Sequence, residues 1–400
     1  MDLRSNAPFW LLKHGILNSY PSLPASTRGD VAIMGAGITG ALMADHLCKA
    51  GFDVLMLDRR HAGHGSTAAS TALLQYEIDT PLHKLIPLVG EQHAVRSYAL
   101  CLEAIHRIGA IAGRFKDVEF VKKPSFQFAS FRKHVENLRK EYTLRRQHGI
   151  STVHWLDEGD VRDKYNFAAP AGLLSSDGAE LDCYHLTHAL LSSNQRRGLR
   201  IYDNTEVVQI RHHKRRVELL TAGGHTVTAR KLIICCGYES QRYIPKVIES
   251  QHSTYAIVSE PFEEKNFWHR NSLIWETAMP YLYMRTTSDK RILIGGKDDD
   301  FYQPDKRDAR IPQKRQQLED SFRKLFPDIP FKTDFSWAGT FCGTKDGLPY
   351  IGSIPQRPHT YFALGFGGNG ITFSVIAAAI VRDLLLGKRN PDSKIFTFDR

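Results

Sequence analysis

Six consecutive residues, Gly35-Ala36-Gly37-Ile38-Thr39-Gly40, carry the sharpest chemical signal in this 400-residue chain. Their G-x-G-x-x-G spacing suits a pyrophosphate. Gly35 permits a tight turn, Gly37 lets backbone approach the phosphates, and Gly40 allows a helix to pack closely on a strand. The unpaired N–H groups at such a helix start, Ile38 and Thr39 among them, sit at the positive end of the helix dipole and stabilise an anion. Asp58, closing the next apolar run, can accept hydrogen bonds from an adenosine ribose, with Arg59 beside it. An acid there disfavours a 2′-phosphate, which argues against NADP. The pattern does not by itself separate FAD from NAD.

A second glycine cluster lies near the other end of the chain, in Leu364-Gly365-Phe366-Gly367-Gly368-Asn369-Gly370-Ile371-Thr372, directly before an apolar helical stretch. Backbone donors at Gly367, Gly368, Asn369, Gly370 and Ile371 would meet an anion with the same physics as those near Gly35. A reduced isoalloxazine carries negative charge on its N1 and O2 side. A helix start placed there favours electron arrival by roughly 0.3–1 kcal/mol, up to about 2 if partly buried. This favours a flavin, although on composition alone the cluster also suits a plain loop.

The elements that must hold these residues are legible around them. Val31-Ala32-Ile33-Met34 reads as a strand buried on both faces, residues 38–50 as a helix ended by Gly51, and residues 53–58 as a second buried strand. Strand, helix and strand in that order form a parallel βαβ unit. The patterning predicts further helices over 90–113, 131–148, 184–197, 312–326 and 371–386. Strands are predicted over 201–210, 216–221 and 226–236, with a hairpin turn at Gly223-Gly224, and over 281–285 and 291–294. The first thirty residues, with Pro8, Pro21 and Pro24, read as an irregular arm. No linker divides the chain cleanly, so two interleaved domains are expected.

Composition narrows the function classes. Apolar residues make up 42% and charged residues 24%, as in ordinary globular proteins, which excludes wholesale disorder. The formal charge of +10 is spread along the chain. Its modest clusters, at 196–200 and 212–216, lack interleaved aromatics and are read as solvated loops, so no nucleic-acid partner is expected. No apolar run reaches the roughly 18 residues of a membrane span, and no integral membrane segment is expected. Cys48, Cys101, Cys183, Cys235, Cys236 and Cys342 form no CxxC pair and suggest neither a disulfide framework nor a metal site. A cytoplasmic protein is the expectation.

Taken in order, the pieces resemble the D-amino-acid oxidase and sarcosine oxidase superfamily of FAD-dependent oxidoreductases, which includes glycine oxidase-like proteins. The resemblance begins with Gly35–Gly40 and Asp58. It continues through the loop Gly63-His64-Gly65-Ser66-Thr67-Ala68-Ala69-Ser70-Thr71, the segment Gly178-Ala179-Glu180-Leu181-Asp182, and the strand end Ile233-Ile234-Cys235-Cys236-Gly237. It closes with Gly343-Thr344-Lys345-Asp346-Gly347-Leu348-Pro349-Tyr350-Ile351-Gly352 and the last glycine loop. It implies an α/β fold in which a Rossmann-like FAD-binding domain (28–80, 150–250 and 335–400) is interleaved with a mixed-sheet α+β substrate or cap domain (81–149 and 251–334).

The family would place Ser66, Thr67, Ala68, Ser70 and Thr71 over the pyrophosphate and flavin, Val208 at adenine, and Gly237 on the cofactor. Members with covalent flavin use a histidine or cysteine at positions that match Ala69 and about Gly339 here, so dissociable FAD is implied. Cys342 is out of register. Leu293 stands where sarcosine oxidases carry an oxygen-activating lysine, which leaves oxygen, a quinone or a protein as electron acceptor.

The implied activity is oxidation of the C–N bond of an amino acid or secondary amine, a small-molecule substrate, by hydride transfer to flavin N5. A carboxylated substrate needs a cationic anchor. Arg285 and Lys297, on neighbouring cap strands, are the candidates, with Tyr281 and Tyr283 as pocket walls. Tyr281, Tyr283 and Arg285 share one strand face, which suits equally a structural sheet where Arg285 pairs with an acid. Gln75 and Tyr76 follow the flavin loop and are further candidates; Glu77 and Asp79 read as polar loop residues. The alternatives are an NAD-binding dehydrogenase and a non-catalytic FAD-binding subunit.

Overall fold

A computed structural model describes residues 2–5, 7–263 and 267–400. The βαβ unit forms as predicted. Strand Thr27–Met34 lies parallel to Val54–Leu57, and helix Ile38–Lys49 crosses between them. The apolar faces of these strands, Val31 to Met34 and Val54 to Leu57, are wholly buried, which is why a parallel arrangement covered on both sides suits them.

On the other flank Thr27–Met34 pairs in parallel with Thr226–Ile234, a strand almost two hundred residues later. Chain order therefore reverses at the carboxyl end of Thr27–Met34. Open α/β sheets hold ligands at such a switch point. The complete sheet has eight strands. Arg200–Tyr202 lies beside Val54–Leu57, and Thr360–Leu364 and Tyr350–Ser353 extend the side of Thr226–Ile234. The predicted single strand over 201–210 is instead two, Arg200–Tyr202 and Val207–His212, because the chain turns at Asn204 with φ +45°.

A second, nine-stranded sheet runs Thr333–Gly343, Ser250–Ser259, Ile292–Asp299, Leu282–Thr286, Leu273–Glu276, Val121–Phe128, Ala171–Glu180 and Leu73–Leu74, with Val153–Asp157 also on Ala171–Glu180. Leu73–Leu74, Val153–Asp157, Ala171–Glu180 and residues 335–343 thus join this sheet, although 28–80, 150–250 and 335–400 were expected as flavin-domain pieces. Helix Ile311–Leu325 covers one face, setting Leu318 and Phe322 among Tyr255, Ile257, Ile292 and Ile294. The opposite face looks toward the first sheet.

The predicted helices appear as Glu91–Ala112, Val135–Gln147, Cys183–Gln195, Ile311–Leu325 and Gly370–Leu385. The amino-terminal arm is less irregular than expected. Phe9–His14 is helical and buries Phe9 and Trp10, while residues near Arg4 bridge to Gly339. Gly367–Leu385 is long and apolar enough to cross a membrane by length and composition, but 67% of it is buried inside this fold, where it packs on Ile38–Lys49.

Candidate functional site

Between the two sheets lies a cavity of about 1920 Å³, bordered by both glycine clusters. At one end the fingerprint forms the turn its glycines allow. Gly35 has φ +104°, and a Cβ there would stand 2.4 Å from the Cys235 carbonyl oxygen. A Cβ on Gly40 would stand 1.9 Å from the Gly35 oxygen. Thr67 bridges the loops, its Oγ1 accepting the Ile38 N–H at 3.0 Å, so this N–H is not one of the unpaired donors expected at the helix start. Ser66 begins the short helix Ser66–Ala69 and borders the cavity with a buried Oγ that has no partner. An orphaned hydroxyl beside a helix start suits an anionic guest.

Asp58 also borders the cavity, its carboxylate accepting the N–H groups of Ala36 at 2.7 Å and Arg60 at 2.8 Å. Burial pushes its carboxyl up to about 6, against those two donors and the Arg60 charge. Arg59 and Arg60 both pair with Glu239. Gly237 lines this end; so does Val207, whereas the expected Val208 is 57% exposed on the outer side of its strand.

At the other end, Gly367, Gly368, Asn369, Gly370 and Ile371 all border the cavity. The two helices these nests open are joined near their starts, Thr39 Oγ1 to Ser374 Oγ at 2.8 Å. The expected convergence of the two clusters is therefore present in the geometry. Asn369 fixes the floor by donating Nδ2 to the carbonyls of Gln75 and Glu77, each at 2.9 Å. Asp79 accepts the Gly368 N–H at 2.7 Å. It is no mere loop residue, for it is an exposed carboxylate on the cavity wall that holds the second glycine cluster. Glu77 is likewise not a simple loop residue: buried, it faces the buried Arg145 at 3.4 Å.

The loop between the two ends is held from behind. Trp337 Nε1 donates to the Ala69 carbonyl at 2.9 Å, and Trp10 Nε1 donates to that of Ser70 at 2.6 Å. Arg285 Nε donates to Thr71 at 2.7 Å. This is the placement of the expected carboxylate anchor. Arg285 is 2% exposed, faces Glu180 at 3.6 Å and Trp10, and does not border the cavity. The sheet's third side chain on that face is a support for the flavin loop. Gln75, Tyr281, Tyr283 and Lys297 do border it, while Tyr76 and Ala68 are buried behind.

Positions matching covalent attachment face one another: a Cβ on Gly339 would lie 3.7 Å from that of Ala69, and both border the cavity without a nucleophile. Cys342 is buried away from it, as is Leu293. Asp298 and Tyr238 also line the cap side, and sequence patterning singled out neither. Asp298 follows the φ +57° kink at Lys297, which breaks the strand alternation that would have assigned its face.

The volume exceeds the roughly 300–1,000 Å³ of an ordinary ligand pocket, leaving room for a dinucleotide and a small substrate together. The residues present fit FAD: two glycine clusters at helix starts, a carboxylate placed where a ribose could reach it, and an orphaned hydroxyl between them.

Comparison with known proteins agrees. A glycine oxidase from Geobacillus kaustophilus is 28% identical over 374 residues, covering 90% of this chain and 93% of that protein. A crystal structure of glycine oxidase from Geobacillus kaustophilus superposes with a TM-score of 0.78 at 22% identity, covering 92% of this chain and 96% of that one. A putative Rieske 2Fe-2S iron-sulfur protein, YhfW of Bacillus subtilis, is 26% identical over 391 residues, covering 96% of this chain and 74% of that protein. Gamma-glutamylputrescine oxidoreductase of Escherichia coli is 25% identical over 382 residues, covering 92% and 86%. The family model for FAD dependent oxidoreductases matches residues 30–384, which sets aside the NAD-binding and non-catalytic alternatives. The chain belongs to the FAD dependent oxidoreductase family and is an enzyme that uses FAD.

Proposed function

We propose that the protein oxidises the C–N bond of a small amine or amino acid, with FAD held without a covalent link. The observation that carries this reading is the meeting of both glycine nests on one cavity whose far wall is a cap sheet bearing Tyr281, Tyr283 and Lys297. The names of the glycine oxidase and gamma-glutamylputrescine oxidoreductase relatives support the substrate class. When bound, FAD supplies the acceptor for the two electrons and the hydrogen of the substrate C–H bond. The chain's own share is to hold the phosphates on the Gly35–Gly40 nest, the ribose on Asp58, and the flavin edge at the Gly367–Ile371 helix start, where Asp79 already takes the Gly368 N–H. The cap residues orient the amine, and water then hydrolyses the resulting imine to carbonyl compound and amine.

Ala69 and Gly339 at the attachment positions support dissociable cofactor. Leu293, buried off the cavity, supports an acceptor other than oxygen, a quinone or a redox protein; the relative named for an iron–sulfur centre points the same way. The cysteines are free, consistent with the cytoplasm. The test is anaerobic. Purified protein is expected to be yellow, to release its FAD on acid precipitation, and to bleach with at least one amine or amino acid. A flavin that none of a broad amine and amino-acid panel bleaches would refute the reading. Slow reoxidation of the bleached enzyme by air, against fast reoxidation by a soluble quinone, is the expected acceptor pattern.

A further inference from the structure

The cap end of the cavity gathers two carboxylates and three phenol rings from four separate segments. Asp79 comes from the chain after the flavin loop, Tyr238 from the turn beyond Thr226–Ile234, Tyr281 and Tyr283 from the Leu282–Thr286 strand and its lead-in, and Asp298 from the adjacent strand. The Tyr281 and Tyr283 rings lie 5.8 Å apart. Asp298 has a buried Oδ1 with no hydrogen-bond partner, an expensive state for a carboxylate unless a guest satisfies it. Burial and the nearby Asp79 both hold its carboxyl up, to about 6, against Thr254, His252 and Lys314.

No arginine stands at this end to receive the carboxylate of a zwitterionic amino acid, and Lys297 is the expected anchor that reaches the cavity. Among the described residues the arginines that border the cavity are Arg59, Arg60 and Arg242, all at the Glu239 end, and Arg285 lies behind the flavin loop. Lys297 borders the cavity on the kinked backbone beside Asp298, and Lys314 acts on the same carboxylate. Carboxylates framed by aromatic faces in a partly desolvated pocket select a cation, through charge-assisted hydrogen bonds and attraction to the rings.

Building on the amine-oxidation reading above, we propose that the substrate carries a second positively charged nitrogen, which Asp298 and Asp79 receive between Tyr238, Tyr281 and Tyr283. The substrate class is an aliphatic diamine or its N-substituted derivative. One nitrogen is seated on the acids while the other presents its C–H bond to the flavin.

The experiment compares reduction kinetics of the FAD-loaded protein with 1,4-diaminobutane, N-methyl-1,4-diaminobutane, n-butylamine, glycine and N-methylglycine. A diamine is expected to give kcat/KM about 10-fold or more above n-butylamine, the worth of one charge-assisted hydrogen bond. In Asp298→Asn that diamine-to-monoamine ratio should fall by about the same factor, with bound FAD confirming an intact fold. Glycine or N-methylglycine outperforming both diamines, or a ratio unmoved by Asp298→Asn, overturns the proposal while leaving amine oxidation standing. Should no compound in the wider panel bleach the flavin, both readings fall together.

Discussion

Arg285 shows what a single side chain contributes and how far the sequence foretold it. Its strand parity was legible: Tyr281, Tyr283 and Arg285 do share a face. Alternation says nothing about where along that face a cavity stops, and here it stops before Arg285, whose guanidinium is spent on the Thr71 carbonyl and Glu180. Arg285→Met is therefore expected to destabilise the fold by about 1–3 kcal/mol, the cost of leaving the Thr71 carbonyl without its donor while Glu180 keeps Lys123 at 3.5 Å. Thermal unfolding with and without FAD checks this, together with substrate KM, which should change little in the protein that remains folded. The place of Asp58 on the cavity wall, by contrast, was readable from position alone. Asp58→Ala should weaken FAD binding roughly 10- to 100-fold through lost charge-assisted hydrogen bonds, measured by flavin fluorescence on titrating apoprotein. An unchanged affinity would place the adenosine elsewhere.

Among the elements, those with a strong local period were read closely: Glu91–Ala112, Cys183–Gln195 and Gly370–Leu385 begin and end within about two residues of their expected limits. Sheet membership was not local and was misjudged. Ala171–Glu180 pairs both with Val153–Asp157 and with Val121–Phe128, contacts that no periodicity encodes, whereas residues 150–250 were expected as one flavin-domain piece. The amino-terminal helix Phe9–His14 escaped notice because six residues give no measurable period. The nest elements make a sharp prediction. Gly40→Ala sets a Cβ against the Gly35 oxygen, so helix Ile38–Lys49 must move away from its strand. The variant should lose FAD and several kilocalories per mole of stability, more than the roughly 1–3 kcal/mol of ordinary overpacking, because the obstacle is backbone. Gly51→Ala, which meets nothing within 4 Å but has φ +86°, should cost only local strain, about 1 kcal/mol or somewhat more, and retain FAD.

The molecule as a whole is two sheets closed over one cavity, with titratable groups buried in the packing around it. His188 is 1% exposed, against Tyr184 and Gly63, and burial pulls its pKa down to about 4. The folded state thus holds it neutral while the unfolded chain takes up a proton near pH 6.5. Its contribution to stability is complete above pH 6.5 and is lost as pH falls toward 4. Asp58 and Asp298, both pushed up to about 6, act oppositely across the same window, since the fold takes up their protons first. Comparing His188→Phe with the parent isolates the histidine. The parent should lose more melting temperature than the variant between pH 7 and 5, and parallel curves would show that His188 titrates normally.

The functional predictions rest on one dinucleotide touching both nests, and a crystal structure of the protein grown with FAD tests that directly. The account predicts continuous density for a single FAD, its ribose at Asp58, its phosphates at Gly35–Gly40, and its isoalloxazine against Gly367–Ile371 beneath Tyr281 and Tyr283. Density for FAD that reaches only one of the two glycine clusters would contradict it.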